Sequence, residues 1–113
     1  MVSPAYIPDR GHVVWLDFSP HSGHEQAGRR PALILSPSAY NGRAELAIVC
    51  AISSKRKGYP FELPIPRGHR AKGVVLADQV RNVDWRGRHA EFLCELPAAF
   101  VALVAHRVCQ LIL

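Results

Sequence analysis

Nine prolines and eight glycines divide this chain of 113 residues into apolar segments of strand length, and the punctuation stops at Pro97. Proline has no backbone donor and glycine loses most entropy when ordered, so both mark the ends of regular elements. A chain cut this way folds as short strands joined by turns. The stretch after Pro97 is free of both residues and can form a helix.

Periodicity fills in the segments. In residues 12–18, Val14, Leu16 and Phe18 alternate with Val13, Trp15 and Asp17, the period of a half-buried strand. An apolar strand follows at 31–36, and residues 36–42 suit a turn or a short helical turn. Residues 46–52 are a continuous apolar run, which fits a central strand. Residues 59–65 carry prolines, so that strand belongs at a sheet edge. A further strand spans 73–80, ending near Trp85, and residues 89–94 offer another. In the tail, Phe100, Leu103, Val104, Val108 and Leu111 recur at helical spacing. Pro97 fits the first helical turn, and His106 and Arg107 complement the dipole at the end. The expected fold is mainly β: a small antiparallel barrel with a C-terminal helix packed on it, in a single domain over residues 1–113.

Composition excludes several classes. Hydrophobic residues make up 49% of the chain, too many for a disordered segment. No apolar run has membrane-spanning length, and the N-terminus lacks a signal-peptide pattern, so a cytoplasmic protein is expected. Cys50, Cys94 and Cys109 are odd in number and widely spaced, which suits reduced thiols acting as small core hydrophobes. His106 and Cys109, or His89, Glu91 and Cys94, match no zinc spacing, and no carboxylate cluster suits magnesium. No metal and no cofactor are expected. No G-x-S-x-G elbow suggests a serine hydrolase.

The formal charge is +5, and the cations are grouped: Lys55, Arg56 and Lys57; Arg67, Arg70 and Lys72; Arg81, Arg86 and Arg88. Three basic groups on a small chain favour a polyanion or an acidic partner.

Three segments could carry chemistry. The first is the polar loop G-H-E-Q-A-G-R-R-P at 23–31. Pro31 pushes the residue before it into an extended conformation, so Arg30 stands on stiffened backbone beside Glu25 and Gln26. A fixed cation near a carboxylate and an amide suits a phosphodiester; the same charges could also be merely solvated. The second is A-I-S-S-K-R-K-G at 51–58, where an apolar strand ends in two hydroxyls and three cations, a phosphate-contacting set. It also fits a strand end with solubilising charges. The third is A-D-Q-V-R-N-V-D-W-R at 77–86. Gln79 and Asn82 could pair with base edges and Trp85 could stack on a base; a lone tryptophan more commonly packs in a core.

Together, GHEQAGRRPALILSP, KGYPFE and VVLADQVRNVDWR resemble the MazF/PemK toxins of bacterial toxin–antitoxin systems, as does the opening at 8–20. The resemblance covers roughly residues 6–88. It implies an SH3-like barrel of the PemK/CcdB type, a homodimer, and a metal-independent endoribonuclease acting on single-stranded RNA at short sequences. It also implies a cognate MazE-like antitoxin with an acidic C-terminal tail. The family's key arginine falls on Arg30, its loop glutamate on Glu25, its threonine on Ser53 and its A-D-Q-V glutamine on Gln79. Ser53 keeps the hydroxyl of that threonine without the methyl that restricts its rotamer. His24 and Arg29 also depart from relatives.

The resulting catalytic candidates are Arg30, Ser53 and Glu25. Candidate RNA contacts are His24, Gln26 and Arg29 in the loop, then Ser54, Lys55 and Lys57, then Gln79, Arg81 and Arg86. A non-enzymatic gyrase poison resembling CcdB and a passive RNA-binding barrel remain open, because fold alone does not fix function.

Overall fold

A computed structural model of the chain describes residues 6–18 and 28–113. The elements run β1 (His12–Asp17), β2 (Arg29–Ile34), α1 (Ser38–Ala44), β3 (Ala47–Ser53), β4 (Glu62–Pro64), β5 (Val74–Val83), β6 (Glu91–Glu95) and α2 (Ala98–Ile112). All strands join one antiparallel sheet in the order β4-β5-β3-β2-β1-β6.

The apolar run at 46–52 lies in the interior as β3, and the proline-bearing segment lies at an edge as β4. Alternation places apolar side chains on both faces. Val13, Leu33, Cys50 and Ile52 join one core cluster; Val14, Ala32, Val49 and Ala51 join the other. The first cluster is covered by α2 through Val101, Val104 and Val108. The second is closed by Phe18, Val83 and Trp85.

Closure into a barrel is not observed: among the described residues β4 and β6 do not pair. β4 is three residues long and ends at Pro64, which has no N–H to offer a further neighbour. Curvature comes instead from β5. Its Val80 pairs with Cys50 and its Val75 with Ile52, so four β5 residues, 76–79, stand against the single Ala51 of β3. Within them, the Ala77 N–H bonds the Phe61 carbonyl at 2.9 Å. A bulge of this kind bends a strand and re-aims its side chains.

Two expectations need correction. The arginines at 29 and 30 belong to β2 itself and not to the loop before it. In α2 the buried stripe is Val101, Val104 and Val108, while Leu103 is 53% and Leu111 44% exposed. Pro97 is the N-cap, one position outside the first turn.

Trp85 is buried, and its indole N–H bonds the Asn41 carbonyl at 3.0 Å. It is a core residue and not a stacking platform. Asn41 is itself fully buried. Its amide donates to the carbonyls of Pro8 and Ser36, and its side-chain oxygen accepts from the Ser36 hydroxyl at 2.6 Å. Every polar group of that side chain is therefore satisfied, as burial requires. No described helix is long and apolar enough to cross a membrane.

Candidate nucleic-acid interface

The candidates Arg30 and Ser53 lie just beyond the β2–β3 pairs. β2 and β3 pair as Ala32 with Ala51, Leu33 with Cys50 and Ile34 with Val49. Continued two residues further, that register sets Arg30 opposite Ser53. Residues directly opposed on antiparallel strands have Cβ atoms about 5 Å apart. On its other side Arg30 pairs with Leu16 of β1. Its backbone is thus paired with β1, and the residue is exposed.

Ser53 is buried. Its hydroxyl oxygen accepts from the Lys55 N–H at 3.1 Å, and the hydroxyl donates to the Lys55 carbonyl at 3.4 Å. The second contact is long for an O–H···O bond and holds the proton weakly. Ser54, the next residue, is exposed. A groove of about 330 Å³ gathers Arg29, Arg30 and Ser54 over a floor that includes Trp15, Pro31, Ile52 and Leu93.

Two residues with no assigned role in the sequence reading hold this region in place. Gly73 has φ +109°, and a Cβ there would lie 2.1 Å from the Ser53 carbonyl oxygen. Only glycine lets β5 begin so close to the end of β3. Glu62 is buried, and its carboxylate accepts from the Lys57 N–H at 3.0 Å and the Gly58 N–H at 2.8 Å. It anchors the turn that presents Lys55 and Lys57 to solvent. A glutamate four residues after a Lys-Gly pair was the available signal for such an anchor.

The remaining candidates are distributed unevenly. Arg29 is engaged on the rim: its guanidinium donates to Asp17 Oδ1 at 3.0 Å, Glu91 Oε1 at 3.1 Å and the His89 carbonyl at 2.9 Å. Asp17 also lies 2.8 Å from His89 Nδ1. The hydrogen bond from His89, then that from Arg29, hold the Asp17 carboxyl below the ordinary carboxylate range. Gln79 lies in the β5 bulge, partly exposed. The Arg81 guanidinium lies over the Phe18 ring, 5.8 Å from its centre. Arg86 is paired with Glu45 at 2.9 Å and lies over Trp85. It follows the end of β5 that pairs with Ala47, at the far end of β3 from Ser53. Along β3 that separation is about 20 Å at 3.3 Å per residue. His24, Glu25 and Gln26 lie outside the described residues. The Phe18 N–H bonds the Gly28 carbonyl at 2.8 Å, joining the described residues on either side of them in sequence. Among the described residues, no three His, Cys, Asp or Glu side chains form a group able to hold a metal ion.

Buried Ser53 and exposed Lys55 and Lys57 do not line the groove, which offers planar cations on a paired strand, the exposed hydroxyl of Ser54 and an apolar floor. That combination suits a single-stranded polyanion carrying flat, apolar-faced groups.

Comparison with known proteins identifies the family. Residues 9–112 match the family model described as PemK-like, MazF-like toxin of type II toxin–antitoxin system. The endoribonuclease toxin MazF of Escherichia coli K12 is 46% identical over 85 residues, which cover 75% of this chain and 76% of that protein. The crystal structure of MazF from Deinococcus radiodurans superposes with a TM-score of 0.91 at 53% identity, covering 96% of this chain and 98% of that one. A MazE–MazF crystal structure from the same organism gives a TM-score of 0.85 at 48% identity, with 96% and 97% coverage.

Proposed function

The chain belongs to the PemK-like, MazF-like toxins of type II toxin–antitoxin systems, and from that premise we propose that it is an endoribonuclease toxin that cuts single-stranded mRNA in the cytoplasm. The reading is supported by the β2–β3 register, which when continued two residues sets Arg30 opposite Ser53, and by the groove that Arg30 and Ser54 line. Relatives named endoribonucleases support the activity, and the MazE–MazF structures support an antitoxin as partner.

RNA carries its own nucleophile. The 2′-oxygen attacks the adjacent phosphorus and the bond to the 5′-oxygen breaks, leaving a 2′,3′-cyclic phosphate and a 5′-OH. The step needs no metal if the protein stabilises the extra negative charge on phosphorus. Arg30 does this with a planar fork that matches phosphate oxygens. Preorganised stabilisation of this kind contributes about 3–4 kcal/mol per donor in well-studied enzymes. A guanidinium is a poor general acid, so its role is electrostatic. Ser53 turns its weakly held proton to a non-bridging oxygen. Glu25 takes the 2′-OH proton or positions the ribose. Lys55, Lys57 and Gln79 contact the flanking strand.

The working form is a homodimer of one toxin-type domain each, neutralised by a cognate antitoxin whose acidic tail covers the cationic groove. The test is incubation of purified protein with a long natural RNA in excess EDTA, with the cut ends mapped and their chemistry determined. Cleavage with cyclic-phosphate ends is expected. Activity lost in chelator and restored by a divalent metal would overturn the mechanism. Intact RNA together with inhibited gyrase would replace it with the poison reading.

A further inference from the structure

The groove that holds Arg30 and Ser54 has a second cationic wall, supplied by Arg70 and Lys72. Neither belongs to the motifs that place the chain in its family. Both are exposed, and Ala71 between them is buried in the core cluster shared with α2. Burial of Ala71 fixes the backbone and points its two neighbours outward. Two residues on, Gly73 packs against the Ser53 carbonyl. The segment is thus locked to the strand end that carries the candidate hydroxyls. Among the described residues Arg70 and Lys72 take part in no ion pair, whereas Arg29 and Arg86 do.

We propose that Arg70 and Lys72 bind the backbone phosphates of a nucleotide flanking the cut, whose base lies on the apolar floor of the groove. The proposal rests on the RNA-cleaving reading above. Uncommitted cations beside an exposed apolar surface are what a single strand requires: charge along the backbone and a flat surface for a base. A cavity of about 330 Å³ is at the lower end of the range for small-ligand sites and suits one nucleotide. Arg29 lines the same groove, but its three acceptors hold it to Asp17, His89 and Glu91.

The test uses full-length protein and an RNA containing the mapped cut sequence, with 2′-deoxyribose at the cut position so that the nucleophile is absent. Affinity is measured over a range of salt concentrations for wild type, for R70A/K72A and for the charge-preserving R70K/K72R. Each phosphate neutralised on a single strand contributes about 0.7 to the slope of log affinity against log salt. The alanine pair should therefore lower that slope by about 1.4 and weaken binding roughly tenfold at moderate salt. The charge-preserving pair should restore both, which a purely structural role would not produce. Trimming the RNA from one end should abolish the difference between wild type and the alanine pair, and trimming the other end should not. An unchanged slope in R70A/K72A overturns the proposal. So does a variant that loses affinity for an acidic antitoxin peptide while RNA binding stays intact, because the pair would then serve the antitoxin. Failure of the wild type to cut any RNA would instead remove the enzymatic reading, and salt slopes measured on an unstructured single-stranded RNA would still report whether this wall binds a single strand.

Discussion

The Arg29 guanidinium donates to Asp17 at 3.0 Å and to Glu91 at 3.1 Å, so it ties β1, β2 and β6 together. Of two adjacent arginines, one is a brace and the next is the proposed phosphate-binding residue. The alternation of a strand explains the difference: Arg29 and Arg30 point to opposite faces of β2.

The brace has a signature in pH. The folded-state pKa of Asp17 is lowered, first by the hydrogen bond from His89 and then by that from Arg29. Its contribution is present above the ordinary value of 3.8 and is lost as pH falls through the lower folded value. An NMR titration should place the Asp17 midpoint below 3.8, and H89A and R29A should each move it upward. A wild-type midpoint at or above 3.8 would contradict the geometry.

Arg30→Ala should abolish RNA cleavage, by at least about 100-fold in kcat, with an unchanged circular-dichroism spectrum. Arg30→Lys should also be badly impaired, because a point charge does not reproduce the planar fork. Near wild-type turnover by the lysine variant would show that simple charge suffices.

Gly73→Ala should damage both fold and activity. The added methyl would meet the Ser53 carbonyl at 2.1 Å, in a backbone conformation unfavourable to any other residue. The expected loss is roughly 1–3 kcal/mol in urea denaturation, with cleavage reduced further than the stability change explains. A fully active, fully stable variant would mean that the strand ends move apart without consequence.

Glu62→Ala should release the turn at Lys57 and Gly58. Removing a buried carboxylate that accepts backbone N–H groups costs about 1.5–3 kcal/mol. RNA affinity should fall through disorder of Lys55 and Lys57, and Glu62→Gln, which keeps an acceptor, should recover part of both.

Thiol chemistry offers a separate check on the core. The Cys50 thiol is pushed up to about 12 by burial and, less strongly, by the Asp78 charge. It should resist a thiol reagent at neutral pH until the protein unfolds, while exposed Cys109 reacts in the native state. Rapid modification of Cys50 in folded protein would show that β3 opens readily.

Much of this was legible in the chain. β3 announced itself by an unbroken apolar run, β4 by its prolines, and the start of α2 by the last proline. The face of α2 was not legible. Phe100, Leu103 and Leu111 share a helical period with Val104 and Val108, but so does Val101, and a helix rich in apolar residues gives no polar face to choose between them. The start of β2 was hidden because two exposed arginines resemble a loop. Gly73 and Glu62 escaped for another reason: their roles depend on which backbone lies beside them, and a linear sequence does not state its neighbours. Trp85 could be taken as a stacking surface or as core until Asn41 supplied the acceptor for its indole.

The alignment of Arg30 with Ser53, two residues beyond the last β2–β3 pair, depends on counting residues along both strands as well as on their chemistry. Side chains alternate faces with a period of two, so removing one residue between Cys50 and Ser53 would turn the hydroxyl to the other side of the sheet. Val49, Cys50, Ala51 and Ile52 are all apolar and face two apolar cores, so the sheet itself could accept such a shift. A descendant of this protein could therefore accumulate many substitutions in the strands and stay active. A single lost codon in β3 could leave it folded, abundant and harmless to its host.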